Sequence, residues 1–160
     1  MSANNGLTLI ELVVTIAVLA ITLGLGVPSF NSLIINNRLT TQANALVASV
    51  NLARSEAVKR GVQVRIAEES GNWKRGWRVT VAGAKNRVLL RVQSPFEGKS
   101  TLSALRDSNR VKQINFSPRG FLIGNAVTFE LCNSGASANR QKKLIISSSG
   151  RVRVSDGACS

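Results

Sequence analysis

Near its C-terminus the chain reads Ser149-Gly150-Arg151-Val152-Arg153-Val154, a turn pair followed by alternating arginine and valine. Side chains of an extended chain point alternately to opposite faces, so as a strand this stretch sends Val152 and Val154 to the core and Arg151 and Arg153 to the open face. The two guanidiniums then stand two residue rises apart, roughly 6 to 7 Å. Each is a planar, permanently charged fork, and such forks at this spacing suit the phosphates of a nucleic-acid backbone. Lys142 and Lys143 lie just upstream, and a hairpin pairing 144–147 with 151–154 brings them near. Contacts to phosphate are sequence-tolerant and weaken steeply with salt. The competing reading of an Arg-bearing strand is plain protection of a sheet edge. Arg110, Lys112, Arg119 and Arg140 extend the supply of cations, although sequence order alone does not put them on one face.

The second chemically demanding residue is Glu11. It opens an apolar stretch, and from Leu12 through Asn37 no side chain is charged. A helix of about 20 apolar residues spans a bilayer, and an ionised carboxylate at the edge of hydrocarbon is costly unless paired. Glu11 therefore requires a cationic partner. Catalysis is not expected. The chain has no His, and Glu56, Glu68, Glu69, Glu97, Asp107, Glu130 and Asp156 form no recognisable acid/base pair or metal set. Neither cysteine has a base, so no catalytic residue, metal or cofactor is predicted.

The elements that position these residues follow from composition and period. With 160 residues the chain holds one membrane segment and one small globular domain. Lys and Arg number 21 against 8 Asp and Glu, a net charge of +13, which favours an anionic partner. After Pro28 the apolar residues Leu39, Ala43, Leu46, Val47, Val50, Ala53, Ala57 and Val58 recur at steps of three and four. One helix from Leu7 to Arg60 is predicted, capped by Gly61 and weakened at Gly24, Gly26 and Pro28. From Val62 the period changes to two. Strands are predicted over 62–66, 77–81, 88–92, 111–116, 127–131, 144–147 and 151–154, with loops over 93–101 and 133–142. Trp73, Trp77, Phe116 and Phe121 read as core or sheet-face aromatics. No internal repeat is evident. Cys132 and Cys159, in a domain carried across a membrane, predict one disulfide closing the C-terminal region.

Gly6 followed by Leu7-Thr8-Leu9-Ile10-Glu11-Leu12 resembles the type III signal of type IV pilins and pseudopilins. A secretory signal peptide fits less well, because the start is uncharged and Gly24, Gly26 and Pro28 follow the apolar core. The resemblance implies cleavage between Gly6 and Leu7 by a prepilin peptidase, methylation of the new N-terminus, and a role for Glu11 in neutralising a neighbouring subunit's amine during assembly. Leu7 stands where Phe is usual, and the leader has no Lys or Arg. The stretch 53–61, then Trp73 with Gly76-Trp77, then Phe116-Ser117-Pro118-Arg119-Gly120, is similar to the FimT/GspH-type minor pilins. Gly150-Arg151-Val152-Arg153 also resembles the DNA-binding motif of FimT pilins that act in natural transformation.

The expected fold is α+β: a long N-terminal helix packed on an antiparallel β-sandwich or sheet. The expected organisation is a leader over 1–6, a transmembrane and filament-core helix over 7–28, its amphipathic half over 29–61 and a β-rich domain over 62–160. The implied partners are DNA, other pilin subunits, the prepilin peptidase and, before assembly, the inner membrane. The domain would then face the periplasm and later the outside of the cell. A second reading is a structural minor pilin or type II secretion pseudopilin that primes or caps a filament.

Overall fold

The computed structural model describes residues 8–82, 88–133 and 140–157. The leader, the junction of Gly6 with Leu7, and Cys159 lie outside the described residues, as do the side chains of Pro28 and Arg140.

Helix α1 runs unbroken from Leu9 to Arg60, 52 residues, or about 78 Å at 1.5 Å per residue. Thr8 caps its start, the Oγ1 accepting the Glu11 N–H at 3.3 Å, and Gly61 ends it in the left-handed conformation at φ 65°. Glu11 in the first turn and Lys59 and Arg60 in the last complement the helix dipole. Among the described residues of its first half, the large apolar side chains from Leu9 to Leu23 are 52–81% exposed. Among the described residues no helix is long and apolar enough to cross a membrane. The second half is amphipathic. Leu39, Ala43, Leu46, Val50, Ala53 and Ala57 are buried at steps of four and three, whereas Val58, expected on the same stripe, is exposed.

The rest of the chain forms two antiparallel sheets. The first, in the order β3-β2-β1-β6, is built from β1 (Val64–Glu69), β2 (Asn72–Val81), β3 (Leu89–Gln93) and β6 (Gln113–Phe116). The second, in the order β5-β4-β7-β8-β9, comprises β4 (Ser100–Arg106), β5 (Asn109–Arg110), β7 (Val127–Asn133), β8 (Arg140–Ile146) and β9 (Val152–Gly157). The helix packs on β1, β2 and β6 of one sheet and on β7, β8 and β9 of the other.

The core lies between these three layers. Trp73 and Trp77 are fully buried, as their aromatic character predicts. Trp73 stands edge-on to Phe129 at 4.9 Å, linking the sheets, and donates its Nε1–H to the Val111 carbonyl at 2.8 Å. Trp77 stands edge-on to Phe96 at 5.4 Å. Phe116 is buried, but Phe121 is 52% exposed and does not belong to the core. Leu122 beside it is the residue that turns inward, because an extended segment can bury only alternate side chains.

Candidate nucleic-acid interface

The arginine-bearing segment lies on β9, at the open edge of the second sheet. Its register pairs Ile146 with Val152, Ile145 with Arg153 and Leu144 with Val154. Residues directly opposite one another share a face, so Val152 and Val154 take the inner face of Leu144 and Ile146, and Arg153 takes the outer face of Ile145. Val152 packs against the core. Val154 is turned the expected way yet remains 44% exposed, on the outermost strand of the sheet among the described residues. Arg151 closes the turn rather than beginning the strand, which starts at Val152. Both Arg151 and Arg153 are exposed.

The turn is held by a short set of hydrogen bonds. The Ser147 N–H donates to the Arg151 carbonyl at 3.0 Å, the Gly150 N–H to the Ser147 carbonyl at 2.8 Å, and the Arg151 N–H to Ser147 Oγ at 3.3 Å. Gly150 has φ +76°, the left-handed residue required by a three-residue hairpin loop. The Ser117–Phe121 segment makes the same turn. There the Ser117 N–H donates to the Phe121 carbonyl at 2.9 Å, the Gly120 N–H to the Ser117 carbonyl at 2.8 Å, and the Phe121 N–H to Ser117 Oγ at 3.2 Å, with Gly120 at φ +79°.

These matching turns touch each other. A Cβ on Gly150 would lie 2.5 Å from the Gly120 carbonyl oxygen and 3.3 Å from Arg54 Nε; a Cβ on Gly120 would lie 2.9 Å from Val58 Cγ2 and 3.3 Å from the same Nε. The Leu122 N–H, donating to the Ser148 carbonyl at 2.9 Å, ties the two together. The first sheet, the second sheet and the helix therefore meet at one seam. Arg54 belongs to this seam, and nothing local in the sequence marks it as a neighbour of Gly150. The shared pattern of Ser three residues before Gly, at Ser117 and Gly120 and again at Ser147 and Gly150, was a legible sign of the paired turns.

Charge pairing separates the expected cations. Lys142 is two residues from Leu144 on the same strand face, toward the helix, and forms an ion pair with Asp156. With Asn36, Leu39, Gln141, Asp156 and Gly157 it lines a cavity of about 270 Å³. The hairpin of β8 and β9 forms as expected, but Lys142 does not share the outer face with Arg153. Lys143 does lie on the outer face, and Glu130 engages it at 3.6 Å. Other acids are also occupied: Glu56 with Arg60 at 2.5 Å, Glu69 with Arg78 at 2.6 Å, and Asp107 as acceptor from Asn125 at 2.7 Å. The Arg60 guanidinium, hydrogen-bonded to Glu56, holds that carboxyl below its ordinary pKa. Among the described residues the side chains of Arg54, Arg119, Arg151 and Arg153 have no hydrogen-bond or ion-pair partner. Cys132 is partly buried on β7, and its expected partner Cys159 lies outside the described residues. Glu11 is exposed at the start of α1, and its expected partner is another chain's terminus.

The family profile described as Type II transport protein GspH matches residues 42–150, and the profile described as Prokaryotic N-terminal methylation motif matches residues 1–27. Among solved structures, the type IV minor pilin FimU of Pseudomonas aeruginosa is similar with a TM-score of 0.63 and 26% identity, over 75% of this chain and 90% of that one. The minor pseudopilin EpsH from the Type 2 Secretion System of Vibrio cholerae is similar in fold, with a TM-score of 0.60 and 14% identity, over 74% of this chain and 96% of that one. No curated protein sequence gives a significant match. The GspH profile spans well over half of the chain, and a methylation motif stands at its head. The chain thus belongs to the GspH family and is a minor pilin or pseudopilin of the GspH/FimT type, a structural protein of filaments rather than an enzyme.

Proposed function

We propose that this minor pilin captures extracellular DNA for natural transformation through Gly150, Arg151 and Arg153. The observation that carries the reading is the pair of exposed arginines left without intramolecular partners while Lys142 and Lys143 are engaged by carboxylates. The phosphate backbone is the ligand, so binding is sequence-tolerant and salt-sensitive. Arg54 and Arg119 widen the surface at the seam. Lys142 and Lys143 contribute less than the arginines because each must first give up its own acid.

In the same reading the chain is made as a precursor that crosses the inner membrane once with residues 7–28, its domain in the periplasm, and then joins an extracellular pilus. Prepilin peptidase cuts between Gly6 and Leu7 and methylates Leu7. Glu11 pairs with the amine of a neighbouring pilin subunit, and a Cys132–Cys159 disulfide fastens the C-terminal end.

The test is binding of labelled double-stranded DNA by the full-length chain in nonionic detergent, compared with Arg151→Gln/Arg153→Gln across salt concentrations. The substitutions should weaken binding strongly and reduce the slope of log K against log salt by about 2. Binding that is absent, or indifferent to both substitutions, overturns the proposal. Edge strand β3, with Leu89 and Val92 exposed, favours a second reading in which another subunit covers this edge and the chain primes or caps a pilus or secretion pseudopilus. On that reading the double variant leaves DNA uptake intact.

A further inference from the structure

We infer that Phe121 is a base-stacking position beside the arginines, so that the site prefers single-stranded DNA or frayed ends to closed duplex. This rests on the DNA-binding reading above and adds to it a second kind of contact.

Phe121 occupies in the Ser117–Phe121 turn the place that Arg151 occupies in the Ser147–Arg151 turn: each is the last residue, its N–H on the serine Oγ and its carbonyl on the serine N–H. The glycines of the two turns are in contact, and the hydrogen bond from Leu122 to Ser148 sets the backbone beside Phe121 against the tip of the arginine turn. Leu122 is 5% exposed, whereas Phe121 is 52% exposed. The aromatic contacts found among the described residues involve Trp73, Trp77, Phe96 and Phe129, all in the core, and none involves Phe121. The neighbouring tip residues Ser148 and Ser149 are small and exposed. An open ring on the turn that carries the unpaired Arg119, in backbone contact with the turn that carries Arg151, combines the two features of single-strand binding surfaces, a cationic track for phosphates and a π face for a base. In closed duplex the bases are already stacked on one another, so an exposed ring finds a base face only where the strand is single or frayed. The charge of the surroundings selects the occupant: a ring among unneutralised guanidiniums suits an anionic polymer with aromatic bases.

The experiment measures anisotropy of the full-length chain in nonionic detergent with a labelled oligothymidine and with a blunt hairpin duplex of equal phosphate number. The single strand should bind more tightly. Phe121→Ala should weaken single-strand binding about fivefold or more while leaving hairpin affinity and salt slope unchanged, and Phe121→Trp should restore it. Phe121→Leu, which keeps apolar bulk without a π face, should behave like the alanine variant, and a melting curve checks that each variant is folded. Single-strand affinity unchanged in Phe121→Ala, or retained in Phe121→Leu, overturns the stacking role while DNA binding itself stands. Loss of Phe121→Ala from sheared pili with both DNA affinities unchanged reassigns the ring to a pilin contact and also overturns it. Wild-type protein that binds neither probe refutes the DNA-binding reading itself.

Discussion

The closest constraint on the arginine turn is at Gly150, and Gly150→Ala tests it. The residue sits at φ +76°, and an added Cβ would lie 2.5 Å from the Gly120 carbonyl oxygen, with Arg54 Cδ at 3.2 Å. The left-handed backbone alone costs an L-residue roughly 1–2 kcal/mol. The Gly120 oxygen is a backbone atom whose own turn is pinned by hydrogen bonds, so relief requires the two turns to part, at a further cost of about 1–3 kcal/mol. The control is Gly61→Ala, where φ is +65° but nothing lies within 4 Å of the new Cβ, so only the backbone penalty applies. In thermal melts of the full-length chain in detergent, Gly150→Ala should lose roughly 4 °C or more beyond the loss in Gly61→Ala. Parting the turns also moves Arg151 relative to Arg153, so DNA affinity should fall although both arginines remain. Equal melting losses in the two variants, or undiminished DNA affinity in Gly150→Ala, refute the reasoning that Gly120 is what demands a glycine at 150.

Other expectations are independent of that seam. Lys142→Gln/Lys143→Gln should retain most DNA affinity, because Asp156 and Glu130 already engage these lysines; a loss as large as that of the arginine double variant contradicts this, and the same anisotropy titration reads it. Glu11→Ala should leave the protein in the membrane fraction but keep it out of sheared pili, and normal recovery there removes the carboxylate–amine pairing. Glu56 is held below its ordinary value of 4.5, chiefly by the hydrogen bond from Arg60. Its contribution to stability is therefore complete above that value and is lost as pH falls through the lowered one. Glu56→Gln should flatten part of the acid limb of melting temperature against pH, and an unchanged limb denies the pairing a role. Non-reducing peptide mapping should find Cys132 joined to Cys159, with about 3 kcal/mol lost on replacing both by Ser; free thiols in exported protein exclude the bond.

Much of this protein was determined by local pattern, because local pattern reflects the fixed geometry of helix and strand. The four-and-three spacing of Leu39, Ala43, Leu46, Val50, Ala53 and Ala57 named the buried stripe of α1, and each of these residues is buried. The alternation of Val152 and Arg153 matches β9, where Val152 packs against the core and Arg153 is exposed, but Val154 is 44% exposed and Arg151 precedes the strand. Pleat parity also held the answer for Lys142 and Lys143, since adjacent residues of one strand cannot share a face. Strand β4 was not predicted, and its first residues Ser100 and Thr101 fell in the expected loop, because only Leu102 is large and apolar among its inward positions Ser100, Leu102 and Ala104, which leaves little hydrophobic alternation to read.

Which separated segments touch, and which charges are already neutralised, follows from the packing of the two sheets and the helix. Arg54, Gly120 and Gly150 meet because two sheets and a helix converge there, and no periodicity along the chain records a contact between residues so far apart. The exposure of Phe121 is decided the same way: only once Leu122 has been drawn inward against Phe116 and the Ser148 carbonyl is hydrogen-bonded beside it does the neighbouring ring have nowhere to go but outward.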